Sequence, residues 1–178
     1  MVHRPWYAIV PFPVEPSRGM RALLGAAERR VVKPTMKCVV DTTIINRLID
    51  GSLSTEDIPA DAELVATHVQ IDELNKTRDE ERRARLFLRF ATTVDSVIPT
   101  ESTILGISRL GYSKLDDGGL YGTLKAELDS LNKGKANNAQ DALIAEVAIA
   151  NGYTLLTADY HLAVVARKYG GTVSYFAP

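Results

Sequence analysis

One stretch of the chain restricts its architecture more than any other. Residues 135–169 read KANNAQDALIAEVAIANGYTLLTADYHLAVVARKY, in which an almost wholly apolar helix is followed by a short strand and a second helix. A helix that is apolar on all sides has to be buried, and Gly152 is a typical residue at which such a helix ends. The stretch therefore predicts a buried helix and strand in the core of an α/β domain.

The chain after residue 36 alternates strands and helices in the same way. Strands are predicted at 37–40, 63–69, 95–99, 153–157 and 172–175. Helices are predicted at 44–50 with Thr43 as cap, 70–91, 119–133, 139–151 and 161–169. Strands that alternate with helices form a parallel sheet with helices on both faces. In such sheets, ligands bind beyond the carboxyl ends of the strands.

The charge of the chain divides it into two parts. Residues 1–37 contain 7 basic and 2 acidic residues, and the remaining chain contains 14 and 20, for a total net charge of −1. We expect a basic N-terminal extension at 1–35, with a proline-rich arm followed by a basic amphipathic helix at 18–33, and one globular domain at 36–178. Two interpretations of the extension stay open: it contacts RNA or a partner, or Met36 is the native start.

The sequence also favours a cytoplasmic protein. Cys38 is the single cysteine, which excludes an internal disulfide and a cysteine-built zinc site. No apolar run is as long as a membrane span, so no membrane partner is expected. Prolines interrupt the N-terminal segment, which therefore does not resemble a signal peptide.

Four acidic residues are predicted at the edge of the sheet where ligands bind. Asp41 follows the first strand, Asp159 follows the fourth, Asp141 lies near the start of the apolar helix, and Glu73 lies in the helix after the second strand. Clustered carboxylates repel one another, and oxygen ligands favour Mg²⁺ or Mn²⁺ over zinc. These ions activate water and stabilise the leaving oxygen in phosphodiester cleavage.

Each acid also has a simpler interpretation. Asp141 could belong to a helix-capping box whose cap is Asn138, and Asp159 could be a turn residue or a cap. Glu73 could be a solvated helix residue. Glu146 lies about 140° around the helix from Asp141, outside a shared metal site. His68 and His161 have no accompanying nucleophile motif, and surface or capping roles are favoured for both. Only the joint placement of the four acids indicates a site.

The motifs that carry these acids resemble those of the PIN-domain ribonucleases, especially the VapC-type toxins. VVDTTII is similar to the first motif of that family, HVQIDEL to the second, QDALIAEVAIANG to the third and LLTADYHL to the fourth. The resemblance implies a three-layer α/β/α sandwich with a central, mainly parallel sheet. It also implies an endoribonuclease that depends on Mg²⁺ or Mn²⁺, with an acidic quartet of Asp41, Glu73, Asp141 and Asp159.

The resemblance also suggests polar residues that orient a carboxylate or a water molecule. Thr157 matches the hydroxyl residue that precedes the fourth acid, and Thr42 and Thr43 match the small polar residues after the first; Asn138 is a fourth candidate for this role. Thr43 stands where Asn or Ser is common. The segment from 100 to 138 is longer than in the compact toxins, and residues before Met36 fall outside the pattern.

The sequence thus predicts a metal-dependent endonuclease that cleaves single-stranded RNA, as the toxin of a toxin–antitoxin pair. The resemblance implies a homodimer and a small antitoxin as partners. Two alternatives differ in class: a PIN-like binding or scaffold module with little turnover, and a Mg²⁺-dependent phosphatase with an aspartyl nucleophile. The phosphatase ranks lower because its chemistry requires a second Asp two residues after the first, where this chain has Thr43.

Overall fold

The computed structural model describes residues 36–115 and 118–177. In chain order its elements are β1 (Met36–Val40), α1 (Thr42–Asp50), a 3₁₀ turn (Thr55–Asp57), β2 (Ala62–Ala66), α2 (His68–Asn75), α3 (Glu80–Thr93), β3 (Ser96–Val97), α4 (Gly119–Asn132), α5 (Asn138–Asn151), β4 (Thr154–Thr157), α6 (Tyr160–Lys168) and β5 (Thr172–Tyr175). The predicted arm and helix within 1–35 lie outside the described residues, so the division of the chain at Met36 stays a prediction.

The five strands form one sheet in the order β3-β2-β1-β4-β5, and every neighbouring pair is parallel. In the centre, Val39 of β1 is paired with Val65 of β2 on one side and with Leu155 of β4 on the other. Because all strands point the same way, their carboxyl ends lie along one edge of the sheet. The parallel sheet predicted from the sequence is confirmed.

Successive residues of each central strand enter two different cores, as the alternation of a strand requires. Val39, Val65 and Leu155 pack in a core with α4, α5 and α6. Their neighbours Cys38, Val40, Leu64, Ala66 and Leu156 pack in a second core with α1 and α3. Helices therefore cover both faces of the sheet, and the three-layer α/β/α sandwich is confirmed.

Helix α5 is the most deeply buried helix of the described chain. Nine of its residues are buried, including the polar Asn138, Asp141 and Glu146. Gly152 ends the helix in the left-handed region at φ 66°, and its N–H donates to the carbonyls of Ala148 and Ile149, as the sequence predicted. None of the described helices is long and apolar enough to cross a membrane.

The predicted end of the second strand is wrong, because Thr67 caps a helix there. The Thr67 hydroxyl accepts the N–H of Val69, and Gln70 Oε1 accepts the N–H of Thr67 at 2.9 Å. This capping box starts α2 at His68. His68 is consequently 1% exposed and not on the surface as expected.

Two further helix boundaries differ from the prediction. The helix expected at 70–91 is two helices, because the chain leaves α2 after Asn75 and Asp79 caps α3 by accepting the N–H of Arg82 at 2.7 Å. The cap of α1 is Asp41 and not Thr43. The hydroxyl of Thr43 donates instead to the Asp41 carboxylate.

The long segment between β3 and α4 is attached to α5 through a buried carboxylate. Glu146 is 1% exposed and accepts hydrogen bonds from the N–H of Ser102 at 3.1 Å, the hydroxyl of Ser102 at 2.8 Å and the N–H of Tyr121 at 3.2 Å. An ionised or polar group in a dry interior is tolerated only when its oxygens have such partners. Glu146 thus belongs to the packing of this segment, away from the edge that carries the other acids.

Candidate active site

The four predicted acids line one pocket of about 230 Å³ at the carboxyl edge of the sheet. Asp41 directly follows β1, and Asp159 lies two residues after the end of β4. Glu73 comes from the second turn of α2, and Asp141 from the first turn of α5. The other residues that line the pocket are Thr42, Thr43, Asn46, Lys135 and Asn137.

Asp41 lies at the bottom of the pocket and is held by two hydroxyl groups. Its Oδ2 accepts hydrogen bonds from Thr43 Oγ1 at 2.5 Å and from Thr157 Oγ1 at 2.6 Å. The side chain is 2% exposed. Burial raises the pKa of Asp41, and the two hydroxyl donors oppose that rise only in part. Without a bound cation, ionisation of this carboxylate is therefore electrostatically unfavourable.

The same two hydroxyl groups connect Asp41 to the loop after β4. Thr43 Oγ1 accepts the N–H of Ala158 at 3.0 Å, and Thr157 Oγ1 accepts the N–H of Asp159 at 2.9 Å. The orientation of the Asp41 carboxylate and the course of the chain at Asp159 are thus fixed by one set of hydrogen bonds.

Glu73 has a hydroxyl partner of its own. Thr42 Oγ1 donates to Glu73 Oε2, and Asn46, one turn further along α1, donates to the carbonyl of Thr42 at 3.0 Å. Burial raises the pKa of Glu73, and the charge of Asp41 raises it further. Thr42 therefore orients the Glu73 carboxylate through a hydrogen bond, as Thr43 and Thr157 orient the Asp41 carboxylate.

Asp141 is the least satisfied acid in the pocket. It is 6% exposed, and its Oδ2 is buried without a hydrogen-bond partner among the described residues. Burial and then the charge of Asp41 raise the pKa of Asp141 to about 8. A helix N-terminus favours the ionised form of an acid, but at Asp141 burial and the neighbouring carboxylates outweigh this effect. This oxygen accepts no hydrogen bond from the described residues, but it lies 3.6 Å from the ammonium of Lys135.

Asp159 is fully engaged by contrast. Its Oδ1 accepts the N–H of Leu162 at 3.1 Å, which caps α6, and its Oδ2 accepts from Lys135 Nζ at 2.9 Å. Burial acts to raise the pKa of Asp159, but the hydrogen bonds from Leu162 and Lys135 leave it below its ordinary value. Asp159 therefore stays ionised, whereas the raised pKa values of the other three acids favour their protonated forms.

Asn138 lies beside the pocket and supports it from the outside. Its Nδ2 donates to Asp129 Oδ1 and to Asn132 Oδ1, both at 2.7 Å, so that it joins the end of α4 to the start of α5. The cap of α5 is Asn137 and not Asn138. The hydrogen bonds described for Asn138 do not include one to the four acids.

Three residues that line the pocket were not predicted from the sequence: Asn46, Lys135 and Asn137. Asn46 could have been found, because it lies four residues after Thr42 and so on the same face of α1. Lys135 and Asn137 lie in the turn between α4 and α5, where the sequence carries no periodic pattern.

The donor atoms of the pocket fit a hard divalent cation. All four acids offer oxygen, which suits Mg²⁺ or Mn²⁺. Burial and the neighbouring carboxylates raise the pKa values of Asp41, Glu73 and Asp141, and a bound cation would favour their ionised forms. As they stand, however, the described His, Cys, Asp and Glu side chains form no group of three or more arranged to hold an ion. The ammonium of Lys135 lies among the carboxylates in this conformation.

We expect the metal-free protein to lose stability as the pH rises from about 4 to about 8. The folded-state pKa of Asp141 is about 8, whereas an unfolded Asp has a pKa of about 3.9. Between these values the folded chain holds a proton that the unfolded chain has lost, so raising the pH removes stability. The free energy of unfolding in urea is expected to fall by a few kcal/mol between about pH 5 and about pH 8.5.

Asp141→Asn provides the control for this pH dependence. It removes the carboxyl with the pKa of about 8, and its stability is expected to fall less over the same range, with the remaining fall due to Asp41 and Glu73. A wild-type stability that is flat or rises with pH would contradict the raised pKa.

Comparisons with known proteins support the fold. No family model and no curated protein matches the sequence. Among solved structures, the chain is similar to VapBC2 from Rickettsia felis, crystallised with a DNA fragment from its promoter, with a TM-score of 0.50 and 17% identity over 79% of this chain and 98% of that chain. It also matches VapBC-5 of a toxin–antitoxin family from Mycobacterium tuberculosis, with a TM-score of 0.45 and 17% identity over 80% and 98% of the two chains.

The structural similarity to VapBC2, with a TM-score of 0.50 at 17% identity, shows a common fold and leaves the activity open. The four motifs that resemble the PIN family each fall on defined strands and helices. The first spans β1 and α1, the second α2, the third α5, and the fourth β4 and the start of α6. The chain therefore has the PIN-type α/β/α fold of the VapC proteins.

Proposed function

We propose that this chain is a metal-dependent endoribonuclease that cleaves single-stranded RNA. The observation that carries the proposal is the convergence of Asp41, Glu73, Asp141 and Asp159 on one pocket at the carboxyl edge of a parallel sheet. Three of these carboxyls have raised pKa values, and perturbed acids in a cleft are typical of catalytic sites. The PIN-type fold adds an analogy to this physical argument.

In this proposal some residues of the pocket bind the metal ion and others orient the metal ligands. The carboxylates of Asp41, Glu73, Asp141 and Asp159 would hold Mg²⁺ or Mn²⁺. Such an ion, when bound, supplies the positive charge that activates water and stabilises the oxygen that leaves phosphorus. Thr43 and Thr157 keep the Asp41 carboxylate in one orientation, and Thr42 does the same for Glu73. Fixed carboxylates place the attacking group and the phosphate without reorganisation during the reaction.

The test is cleavage of an end-labelled, unstructured RNA by the full chain. We expect cleavage with Mg²⁺ or Mn²⁺, none with EDTA, and recovery when excess Mn²⁺ is added to the EDTA-treated protein. A DNA strand of the same sequence measures the preference for RNA, and p-nitrophenyl phosphate measures phosphatase activity. Cleavage that persists in EDTA, or the absence of cleavage in a protein that binds Mn²⁺, would contradict the proposal.

One observation favours a second candidate, a binding module with little turnover. Lys135 pairs with two of the four acids, so the pocket is partly neutralised without a metal. A module of this kind would bind RNA or a protein but leave the labelled strand intact. The phosphatase alternative is weaker, since Thr43 stands at the position of the required second acid and its hydroxyl donates to Asp41.

We also propose a toxin–antitoxin role, with a small antitoxin and a second copy of the chain as partners. The structurally similar protein from Rickettsia felis is VapBC2, bound to a DNA fragment from its promoter, and VapBC is the name of a family of toxin–antitoxin systems. The segment after β3 carries three leucines, Leu105, Leu110 and Leu115, each at least 94% exposed. Exposed apolar residues of this size are typical of a surface that a partner covers.

A further inference from the structure

A lysine reaches into the pocket from the turn between α4 and α5. Lys133 at φ 59° and Gly134 at φ 72° are both left-handed, and two such residues in succession reverse the chain just before Lys135. The side chain of Lys135 is 46% exposed. Its Nζ lies 2.9 Å from Asp159 Oδ2 and 3.6 Å from Asp141 Oδ2, the second distance being that of an ion pair without a hydrogen bond.

The ammonium of Lys135 interacts with all four acids. Besides the two ion pairs, its charge acts on Glu73, whose pKa it lowers, and the charge of Asp41 in turn favours the protonated form of Lys135. Lys135 is the one cationic side chain among the described residues that line the pocket. Lys76 also lowers the pKa of Glu73 but does not line the pocket, so within the pocket itself the four acids face one positive charge.

A divalent cation would need the same oxygens. The oxygen that a cation could bind most readily is Asp141 Oδ2, which is buried and accepts no hydrogen bond from the described residues. The Lys135 ammonium lies on the pocket side of this atom at 3.6 Å. Two cations this close in a poorly solvated pocket repel each other strongly. The ammonium and the ion cannot both occupy the space between Asp141 and Asp159.

We infer that Lys135 holds the place of the divalent cation in the free protein, and that an entering ion displaces its ammonium, so that this residue sets the metal affinity of the pocket. The inference rests on the proposed function, because it assumes that the four acids bind a metal. It also accounts for the ion pairs that Lys135 makes with Asp141 and Asp159. Lys135 is in this sense a positioning residue that acts through Asp141 and Asp159.

The test measures metal binding and not cleavage. The full-length wild type, Lys135→Met and Lys135→Gln are titrated with Mn²⁺ at about pH 8, and free Mn²⁺ is counted by electron paramagnetic resonance. Both neutral variants are expected to bind Mn²⁺ about fivefold more tightly or better, which corresponds to about 1 kcal/mol. The Gln variant keeps a hydrogen-bond donor and serves if the Met variant does not fold.

Two further variants separate displacement from a general charge effect. Lys133→Met removes a charge from the same exposed turn, outside the residues that line the pocket, and wild-type affinity is expected. Lys135→Arg keeps the charge and is expected to bind Mn²⁺ more weakly than the two neutral variants.

The outcomes distinguish this inference from the proposed function. If the wild type binds Mn²⁺ and the neutral Lys135 variants bind it no more tightly, the inference is overturned and the metal site stands. The inference also fails if Lys133→Met tightens binding to the same extent. If neither the wild type nor the neutral variants bind Mn²⁺, the inference and the proposed metal site fall together.

Discussion

Asp41→Asn is expected to reduce RNA cleavage by about a thousandfold or more while the protein stays folded. The replacement keeps the shape of the side chain and an oxygen that can accept from Thr43 and Thr157, which donate to Asp41 at 2.5 and 2.6 Å. It removes the charge that a cation would require. Because burial already raises the pKa of Asp41, the neutral amide is not expected to lower the free energy of unfolding.

The measurement pairs initial rates of RNA cleavage with urea denaturation of the same samples. Glu81→Gln is the matched control, since it also neutralises one carboxylate but lies exposed in the first turn of α3. Wild-type rates are expected from this control. An Asp41→Asn protein that cleaves at the wild-type rate would exclude Asp41 from the chemistry, whereas a loss of activity together with loss of folding would leave its role structural.

Glu146→Ala is expected to lower the free energy of unfolding by about 3 kcal/mol. The change removes a buried acceptor of three hydrogen bonds and leaves the N–H groups of Ser102 and Tyr121 without that partner in the interior. It also leaves a cavity where most of the side chain was. Amide hydrogen exchange in the segment between β3 and α4 is expected to accelerate more than exchange in the central strands.

Glu127→Ala tests whether burial is what makes Glu146 important. Glu127 also accepts hydrogen bonds, from Lys168 and Tyr169, but its side chain is 26% exposed. A clearly smaller loss than that of Glu146→Ala is expected, because water replaces the lost partner. If both variants lose the same free energy of unfolding, the buried hydrogen bonds of Glu146 do not anchor the segment.

The architecture of this domain follows from signals that are local in the sequence. The three central strands β1, β2 and β4 each contain a short apolar run that is followed by a turn or a cap. Gly51 and Gly152 end their helices in the left-handed region. The last strand was predicted with the bounds that the structure gives it, Thr172–Tyr175. Because a parallel sheet brings all carboxyl strand ends to one edge, the same pattern also predicted that Asp41 and Asp159 would lie together.

Where the prediction failed, a local signal was overlooked or none existed. The end of β2 was misjudged although Thr67 and Gln70 form a capping box that the sequence displays. Glu146 is the single charged residue after Asp141 in an otherwise apolar helix, which should have indicated a buried group with partners. Its partners could not have been named, because Ser102 lies in a segment without periodic pattern.

The position of Lys135 in the pocket could not be predicted from the sequence. It approaches Asp159 across 24 positions of the chain, and it does so only because the two preceding residues adopt left-handed conformations. A lysine in a polar turn is in most proteins simply solvated. Side chains of this kind enter a site through tertiary geometry alone.

The hydrogen bond from Thr157 to Asp41 joins residues 116 positions apart, and β1, the first of the described strands, receives its partner β4 only after α5. The pocket is therefore among the last parts of the domain to be completed during synthesis. A nascent chain in which β4 is still inside the ribosome lacks Asp159 and the hydroxyl that orients Asp41. Any chemistry that requires the complete pocket therefore has to wait until β4 and Asp159 have left the ribosome.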